Sequence, residues 1–500
     1  MRSQTLSGIV SGSVFYPIDV EVKVTHSHAL KMSIVGLPDT AVKESRERIL
    51  GAFGTLGIKL TGDIIVNLSP SDLKKEGTDL DLPIFSAILS SLGKPDLSVF
   101  KSSINQSIPL CFGELGLDGT VKKSGRIIQN VIGSILSGFD TFILPMDSRS
   151  ALEDLPVSIK VWFVGHVTDL TKEPTYINIE NTSRRQSADP PSLDELESIS
   201  LRALKAILLG VTGHHSILLV GPPGQGKTHT AFVISRLLPP LNGRDILQGY
   251  LYFLLAGENP DGILEGKRPF RAPHHSITKP ALVGGGVKGR PGEITLANNG
   301  ILFLDELGEF NRSVLDALRV PMETKQIVVS RANYSHTLPA NFLLICASNP
   351  CPCGYFGSRL RGCRCGISEI KKYLSKFSGP FIDRIDIQLF LDDSGISEDR
   401  FADEKKEIIH KIRQCQSIQK LQITKLGKLC GELESQKILD FSKKTRGFEY
   451  LKKKKLSMRS IIKALRLAWT LSFIKGKDYP EEAEAEEALE FRRLDRLFDI

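Results

Sequence analysis

One short run constrains this chain more than any other. The apolar segment Ser216-Ile217-Leu218-Leu219-Val220 leads directly into Gly221-Pro222-Pro223-Gly224-Gln225-Gly226-Lys227-Thr228. The spacing is G-x-x-x-x-G-K-[ST], set between a predicted buried strand and a helix that begins at Lys227 and runs to about Leu238, before Pro239-Pro240. Glycines there let successive backbone N–H groups curl around phosphate oxygens at the positive end of a helix. Lys227 is then placed for the β- and γ-phosphates of ATP, and the Thr228 hydroxyl for Mg²⁺. A chain built this way folds its core around a parallel sheet covered on both faces.

Two further apolar runs extend the same argument. Ile301-Leu302-Phe303-Leu304 ends in Asp305 and Glu306, suited respectively to hold Mg²⁺ and to polarise the attacking water. Taken alone, an acidic pair after an apolar strand is a strand end meeting solvent; the glycine-rich loop gives it meaning. Phe342-Leu343-Leu344-Ile345 leads to Asn349, which either senses the γ-phosphate or simply makes a turn before Pro350.

With 500 residues, the chain is too long for one core. The first part, to about Val167, mixes strand-like runs (Val20 to Val24, Ile64 to Leu68, Thr141 to Leu144) with helical patterns such as Ala41 to Phe53, an α/β or α+β character. Asn178 to Ser192 reads as an exposed linker and Leu193 to Leu209 as a helix entering the core. The last hundred or so residues are helical in pattern and highly charged, with Lys452 to Lys455 and an acidic stretch from Glu481 to Glu490. No run of eighteen apolar residues and no secretory signal pattern occurs, so the expected location is the cytoplasm with no membrane span. The net charge of +8 permits a polyanionic partner without requiring one.

Four of the eight cysteines crowd together as Cys351-Pro352-Cys353 and Cys363-Arg364-Cys365. Two close pairs joined by a short loop can supply the four sulfurs of a structural Zn²⁺ site. Free thiols, a redox pair and an iron–sulfur cluster are the alternatives, and the C-x-C spacing is tighter than the usual zinc pattern. Between the loop helix and Asp305 lies Lys267 to Arg290, with Arg268, Arg271, His274, His275, Lys279 and Lys288 around Gly284-Gly285-Gly286. Such a segment suits a pore loop tracking a phosphate backbone, against the bland alternative of a solvated charged loop. Adjacent His274 and His275 on an extended chain face opposite ways, which argues against a shared ion. A hairpin from Ile327 to Ala340, with Arg331 and Tyr334 near its tip, is a second candidate contact with DNA.

Several runs carry a specific resemblance. Arg268 to Ser276, Pro291 to Ala297, Asn349 to Gly354, Ser378 to Asp386 and Leu456 to Arg459, with Ile34 to Asp39 and Asn67 to Pro70, resemble the ComM/YifB-type magnesium-chelatase-like AAA+ ATPases over nearly the whole chain. Gln225 stands where the family commonly has serine, and Glu404 to Lys455 matches poorly. The resemblance implies an α/β protein. It has a Lon-protease-like (ribosomal S5-like) domain over 1–170, a linker over 171–192, an AAA+ P-loop core over 193–395, and a helical C-terminal lid over 396–500. It further implies a homo-hexameric ring with DNA, single-stranded or branched, as partner, and branch migration in recombination or natural transformation as the task. Asn349 becomes sensor 1, Arg384 the finger reaching a neighbour's γ-phosphate, and Arg459 sensor 2 in the lid. By residue type alone, Arg384 is equally a salt-bridge partner of Asp383 or Asp386. Where Lon proteases place their serine the chain has Asp81-Leu82-Pro83-Ile84, and where they place the lysine it has Ser124-Gly125-Arg126, so the first domain is expected to be non-proteolytic. A chelatase-like or chaperone-like remodeller of protein complexes and an ATP-regulated DNA-binding switch are the competing functions.

Overall fold

The computed structural model describes residues 2–25, 29–92, 108–181, 189–285, 289–331, 334–376, 379–391 and 402–492, without the side chains of 330–336. It separates into two compact units, one of residues 1–185 with 242–264, the other of 186–241 with 265–500.

The first unit is built on an eight-stranded mixed sheet. Its spatial order is Ile177–Glu180, Ser158–Val164, Thr141–Pro145, Leu110–Cys111, Arg2–Ser11, Val14–Thr25, Asp63–Ser69 and Lys31–Val35. Alternation fixes which face is covered: Ile18, Val20 and Val22 are buried, whereas the intervening Asp19, Glu21 and Lys23 are not. The helices Thr40–Thr55 and Asp81–Ser91 bring Val42, Ile49, Phe53, Leu82 and Phe85 into that core. The strands and helix foreseen at Val20–Val24, Ile64–Leu68, Thr141–Leu144 and Ala41–Phe53 all lie within observed elements.

Two expectations about the boundaries are corrected. The supposed linker begins with a strand, since Ile177–Glu180 pairs antiparallel with Ser158–Val164 and buries Ile179. The region taken as an uninterrupted core from 193 also lends Asn242–Leu264 to the first unit. Asn242 caps the helix Gly243–Ala256 by accepting a hydrogen bond from Asp245 N at 2.9 Å, and Leu247 and Leu251 are buried with Phe15, Phe112 and Val131. An amphipathic stripe goes to whichever apolar face covers it, and sequence proximity does not decide which.

The second unit holds a five-stranded parallel sheet in the order Phe270–Arg271, Ile301–Leu304, Leu343–Ser348, Ile217–Val220, Ile387–Phe390. Ile217–Val220, Ile301–Leu304 and Leu343–Ser348 are buried throughout, as expected for strands covered on both faces. The approach to this sheet is two helices, Leu193–Glu197 and Leu201–Gly213, rather than one. Ser200 breaks the run because its hydroxyl caps the second helix at Ala203 N. The C-terminal region is helical as predicted, from Ala402–Arg413 to Glu482–Glu490, and its long helix Met458–Ile474 shares a core with Leu201–Gly213.

Candidate functional site

The loop after Ile217–Val220 turns into the helix Lys227–Leu237 through Gly224 and Gly226, at φ +83° and +68°. That left-handed backbone is open to glycine at little cost, which is what the motif needs there. The Lys227 ammonium folds back over the loop, donating to Gly221 O at 2.6 Å, Pro222 O at 2.9 Å and Asn349 Oδ1 at 3.2 Å. Burial lowers its pKa to about 8, with Asp305 pulling the other way. Thr228 Oγ1 donates to Asp305 Oδ2 at 3.2 Å. Four side chains from three strand ends thus converge: Lys227, Thr228, Asp305 and Asn349. A carboxylate beside a threonine hydroxyl offers Mg²⁺ two oxygen ligands while leaving positions for water and phosphate.

Glu306 stands next to this group with φ +52°, in the left-handed region that a non-glycine residue enters at a cost. Its Oε2 lies 3.6 Å from His275 Nδ1. The sequence did not single out His275 as a partner of Glu306. His274 and His275 were expected to point apart; instead their rings lie 4.0 Å apart at 36°, because His275 and Ser276 form a turn, not an extended strand. Among the described residues the pair is not part of any cluster of metal-ligating groups.

Arg384 and Arg459 are elsewhere. Ile387–Phe390 pairs in parallel with Ile217–Val220, Ile387 opposite Ile217. The phosphate loop leaves the C-terminal end of the one strand, while Arg384 precedes the N-terminal end of the other. At about 3.3 Å per residue these four-residue strands separate the two ends by roughly 13 Å. Arg384 Nε lies 2.9 Å from Glu323 Oε1, and Arg384 donates to Pro380 O at 2.6 Å. Arg459 lies 3.4 Å from the same Glu323 oxygen. The salt bridge considered for Arg384 is therefore made with Glu323, not with Asp383 or Asp386. Arg459, expected in the helical lid, is in the first turn of the helix Met458–Ile474 and sits with Arg384.

Both arginines line a cavity of about 370 Å³ with Glu323, Lys325, Lys463 and Arg466, and no residue of the phosphate loop lines it. Burial lowers the pKa of Lys325, and that of Lys463 to about 8. Below it, Asp386 ties the sheet edge together, accepting from Ser216 N at 3.1 Å and standing 2.8 Å from Lys463 Nζ. Burial opposes its charge, yet Lys463, His215 and Arg466 hold its carboxyl well below the usual range. Glu323 carries no motif, and Asp386, though it closes the Ser378 to Asp386 run, shows its partners only in the fold.

The proposed DNA-facing segments fare unevenly. Arg271 makes a two-toothed ion pair with Glu293 at 2.7 Å, and Arg268 donates to the carbonyls of Pro239 and Asn299, so both serve the fold. Lys267 is exposed and pairs with Glu265; Lys279 and Arg290 are also exposed, and Lys288 lies outside the described residues. The hairpin is present, Gln326–Arg331 pairing with Tyr334–Pro339, while the Arg331 and Tyr334 side chains are outside the described set. The four cysteines meet: Cys351, Cys353 and Cys363 have sulfurs 3.4 to 3.7 Å apart, and Cys365 joins them within 4.8 Å.

In the first unit, the position considered for a protease nucleophile is filled by buried Asp81, in an ion pair with Arg48 at 2.6 Å. Ser124 bonds to Asp79, and Ser86 is buried within its helix with no hydrogen bond to a lysine. Among the described residues, no helix is long and apolar enough to cross a membrane.

Comparison with known proteins agrees with this geometry. Residues 197–398 match the family described as magnesium chelatase, subunit ChlI; residues 20–148 match subunit ChlI of Mg-chelatase, and residues 403–492 the ChlI C-terminal family. The chain is 32% identical to Competence protein ComM of Haemophilus influenzae, over 93% of this chain and 92% of that protein. It is 33% identical to YifB of Salmonella typhimurium, over 96% and 95%. A shorter stretch, 30% of this chain, is 26% identical to Lon protease 2 of Bacillus subtilis, covering 31% of that protein. With its phosphate loop, parallel sheet and helical C-terminal region, the chain belongs to the ComM/YifB-type magnesium-chelatase-like family and is an AAA+ ATPase of that class.

Proposed function

We propose that this chain is the subunit of an ATP-hydrolysing ring motor that translocates DNA and migrates branched strands. One observation carries the ring: Arg384, with Arg459 beside it, precedes the N-terminal end of the strand paired with Ile217–Val220, whereas Lys227 follows the C-terminal end, so a subunit's own arginines are on the wrong side for its own phosphates. A neighbour's pair completes the site, which makes hydrolysis depend on assembly. In this scheme Lys227 holds the β- and γ-phosphates, Thr228 and Asp305 hold Mg²⁺, and Asn349 and Glu306 orient and polarise the water. The guanidinium forks of Arg384 and Arg459 take the charge that develops on the γ-phosphoryl oxygens.

DNA as the track is supported by the name of the competence relative, by the net charge of +8, and by exposed Lys279 and Arg290 beside a glycine-rich segment. ATPase rate measured against single-stranded, duplex and four-way branched DNA tests it. The expected result is stimulation greatest with branched or single-stranded DNA and loss of turnover in Lys227→Ala. If no DNA binds or changes the rate, a chelatase-like remodeller of protein complexes replaces the translocase.

A further inference from the structure

The segment between Ser348 and Ile367 contains no helix or strand. Irregular connections longer than about 12–15 residues are uncommon inside compact domains unless something other than backbone pairing holds them. This one begins at Asn349, in the nucleotide site, and carries all four clustered cysteines.

The sulfur geometry is that of a single ion. A tetrahedral metal bound at about 2.3 Å places its four sulfurs about 3.8 Å apart. Here the sulfurs of Cys351 and Cys353 are 3.4 Å apart, those of Cys353 and Cys363 3.5 Å, and those of Cys351 and Cys363 3.7 Å. All four fall within 4.8 Å of one another, and none is in a disulfide. A multi-iron cluster needs its thiolates spread farther, because several metal atoms and bridging sulfides lie between them. Backbone groups complete the pattern: Phe356 N donates to Cys351 Sγ at 3.3 Å and Cys365 N to Cys363 Sγ at 3.4 Å. Such donors stabilise thiolate charge and orient the ligands.

The knuckle also touches the phosphate loop. Gly354 has φ +84°, and a Cβ there would sit 3.1 Å from Pro223 Cγ and Cδ and 3.9 Å from Asn349 Cγ. The turn Cys351 to Gly354, closed by Gly354 N donating to Cys351 O at 3.0 Å, therefore packs closely on the second proline of the loop and lies beside the side chain that accepts from Lys227.

We propose that Cys351, Cys353, Cys363 and Cys365 bind one zinc ion, and that this ion fixes the 349–366 segment as a buttress for Pro223 and Asn349. The second half rests on the nucleotide-site assignment above; the first does not. The full-length protein, purified anaerobically without added metal, is analysed for zinc, iron and acid-labile sulfide. About one zinc ion per chain is expected, falling at least tenfold in Cys353→Ser/Cys363→Ser. Cobalt exchanged into the unaltered protein should give the intense sulfur-to-cobalt absorption of a four-thiolate site, a measurement that needs no variant to fold. Equal zinc in both proteins, iron with labile sulfide, or cobalt without thiolate absorption overturns the site. Binding of a fluorescent ATP analogue is then compared in metal-stripped and zinc-reloaded protein. We expect affinity lower by about tenfold without the ion and restored by zinc. Bound zinc with unchanged nucleotide affinity overturns the buttress and leaves the ion. No nucleotide binding in either form sinks the ATP-site assignment and the buttress with it, and leaves the metal count standing.

Discussion

Arg384 and Arg459 meet at one oxygen, Glu323 Oε1, which lies 2.9 Å from the first and 3.4 Å from the second. One comes from the segment before the last strand of the parallel sheet and the other from the first turn of the long C-terminal helix. If they act on a neighbour's nucleotide, activity is shared between subunits and can be rebuilt from two defective ones. Arg384→Ala should lower kcat by about 10³-fold or more with ATP affinity nearly unchanged. Lys227→Ala should remove the nucleotide site but leave Arg384 intact. Mixing the two proteins should give ATPase activity above either alone. Arginines that served their own subunit would leave the mixture as inactive as its parts.

Glu323 is itself a positioning residue. Its carboxylate is about half exposed, so its worth in folding is small, and its effect is on where two guanidiniums rest. Glu323→Gln keeps size and hydrogen bonding but removes the charge that holds both forks. The expected outcome is a several-fold change in kcat, with thermal stability within about 1 kcal/mol of the unaltered protein and ATP affinity unmoved. A change in ATP affinity with kcat intact would instead place Glu323 in nucleotide binding.

Glu306 and His275 make a narrower test. Glu306 is the assigned polariser of the attacking water, and Glu306→Gln should bind ATP normally while hydrolysing it about 10²-fold more slowly. Turnover at the unaltered rate would remove Glu306 from that role.

What could be read from the sequence was whatever depends on residues close in the chain. The phosphate loop, Asp305 and Asn349 each follow an apolar run, and the geometry of a parallel sheet brings successive strand ends together. So Thr228 reaches Asp305 and Lys227 reaches Asn349, as motif and strand pattern implied. Arg384 and Arg459 were each named by a motif, but a motif does not say that one carboxylate, Glu323, gathers them both. Arg268 and Arg271 looked like a phosphate track because composition cannot distinguish a solvated arginine from one that satisfies partly buried carbonyls or a partly buried carboxylate. Glu323 left no local trace, and the run ending in Asp386 did not show its partners, since those of both residues come from distant segments.

Lys227 links nucleotide binding to pH. Its ammonium has a pKa of about 8, lowered by burial. A bound polyphosphate favours the charged form and raises that value. Below pH 8 the lysine is already charged, and binding requires no proton. Above pH 8 each binding event takes up a proton, so affinity should fall by up to about tenfold per pH unit. Titration calorimetry in buffers of different ionisation enthalpy reads the uptake directly. Proton release, or affinity flat from pH 7 to about 9.5, would contradict it.

Asp386 ties the edge of the sheet to the C-terminal helix, and its removal should unfold more than it disturbs locally. It is buried, accepts from Ser216 N and Oγ, and faces Lys463 Nζ at 2.8 Å. Asp386→Ala leaves a largely buried ammonium and a partly buried amide without their acceptor, a loss of about 3–5 kcal/mol in the second unit. Its folded pKa lies below the ordinary carboxylate value, so its contribution is present above pH 3.8 and lost as pH falls beneath it. Buried His214 and His215 act earlier. Their pKa values are lowered by burial, so unfolded chains take up protons there first, and stability should begin to fall below pH 6.5. Urea unfolding of the full chain at pH 7.5, 6 and 5 should show a midpoint that declines with acidity for the unaltered protein. His215→Gln, which cannot titrate, should flatten part of that slope; an unchanged slope would mean that His215 does not set the acid sensitivity of this edge.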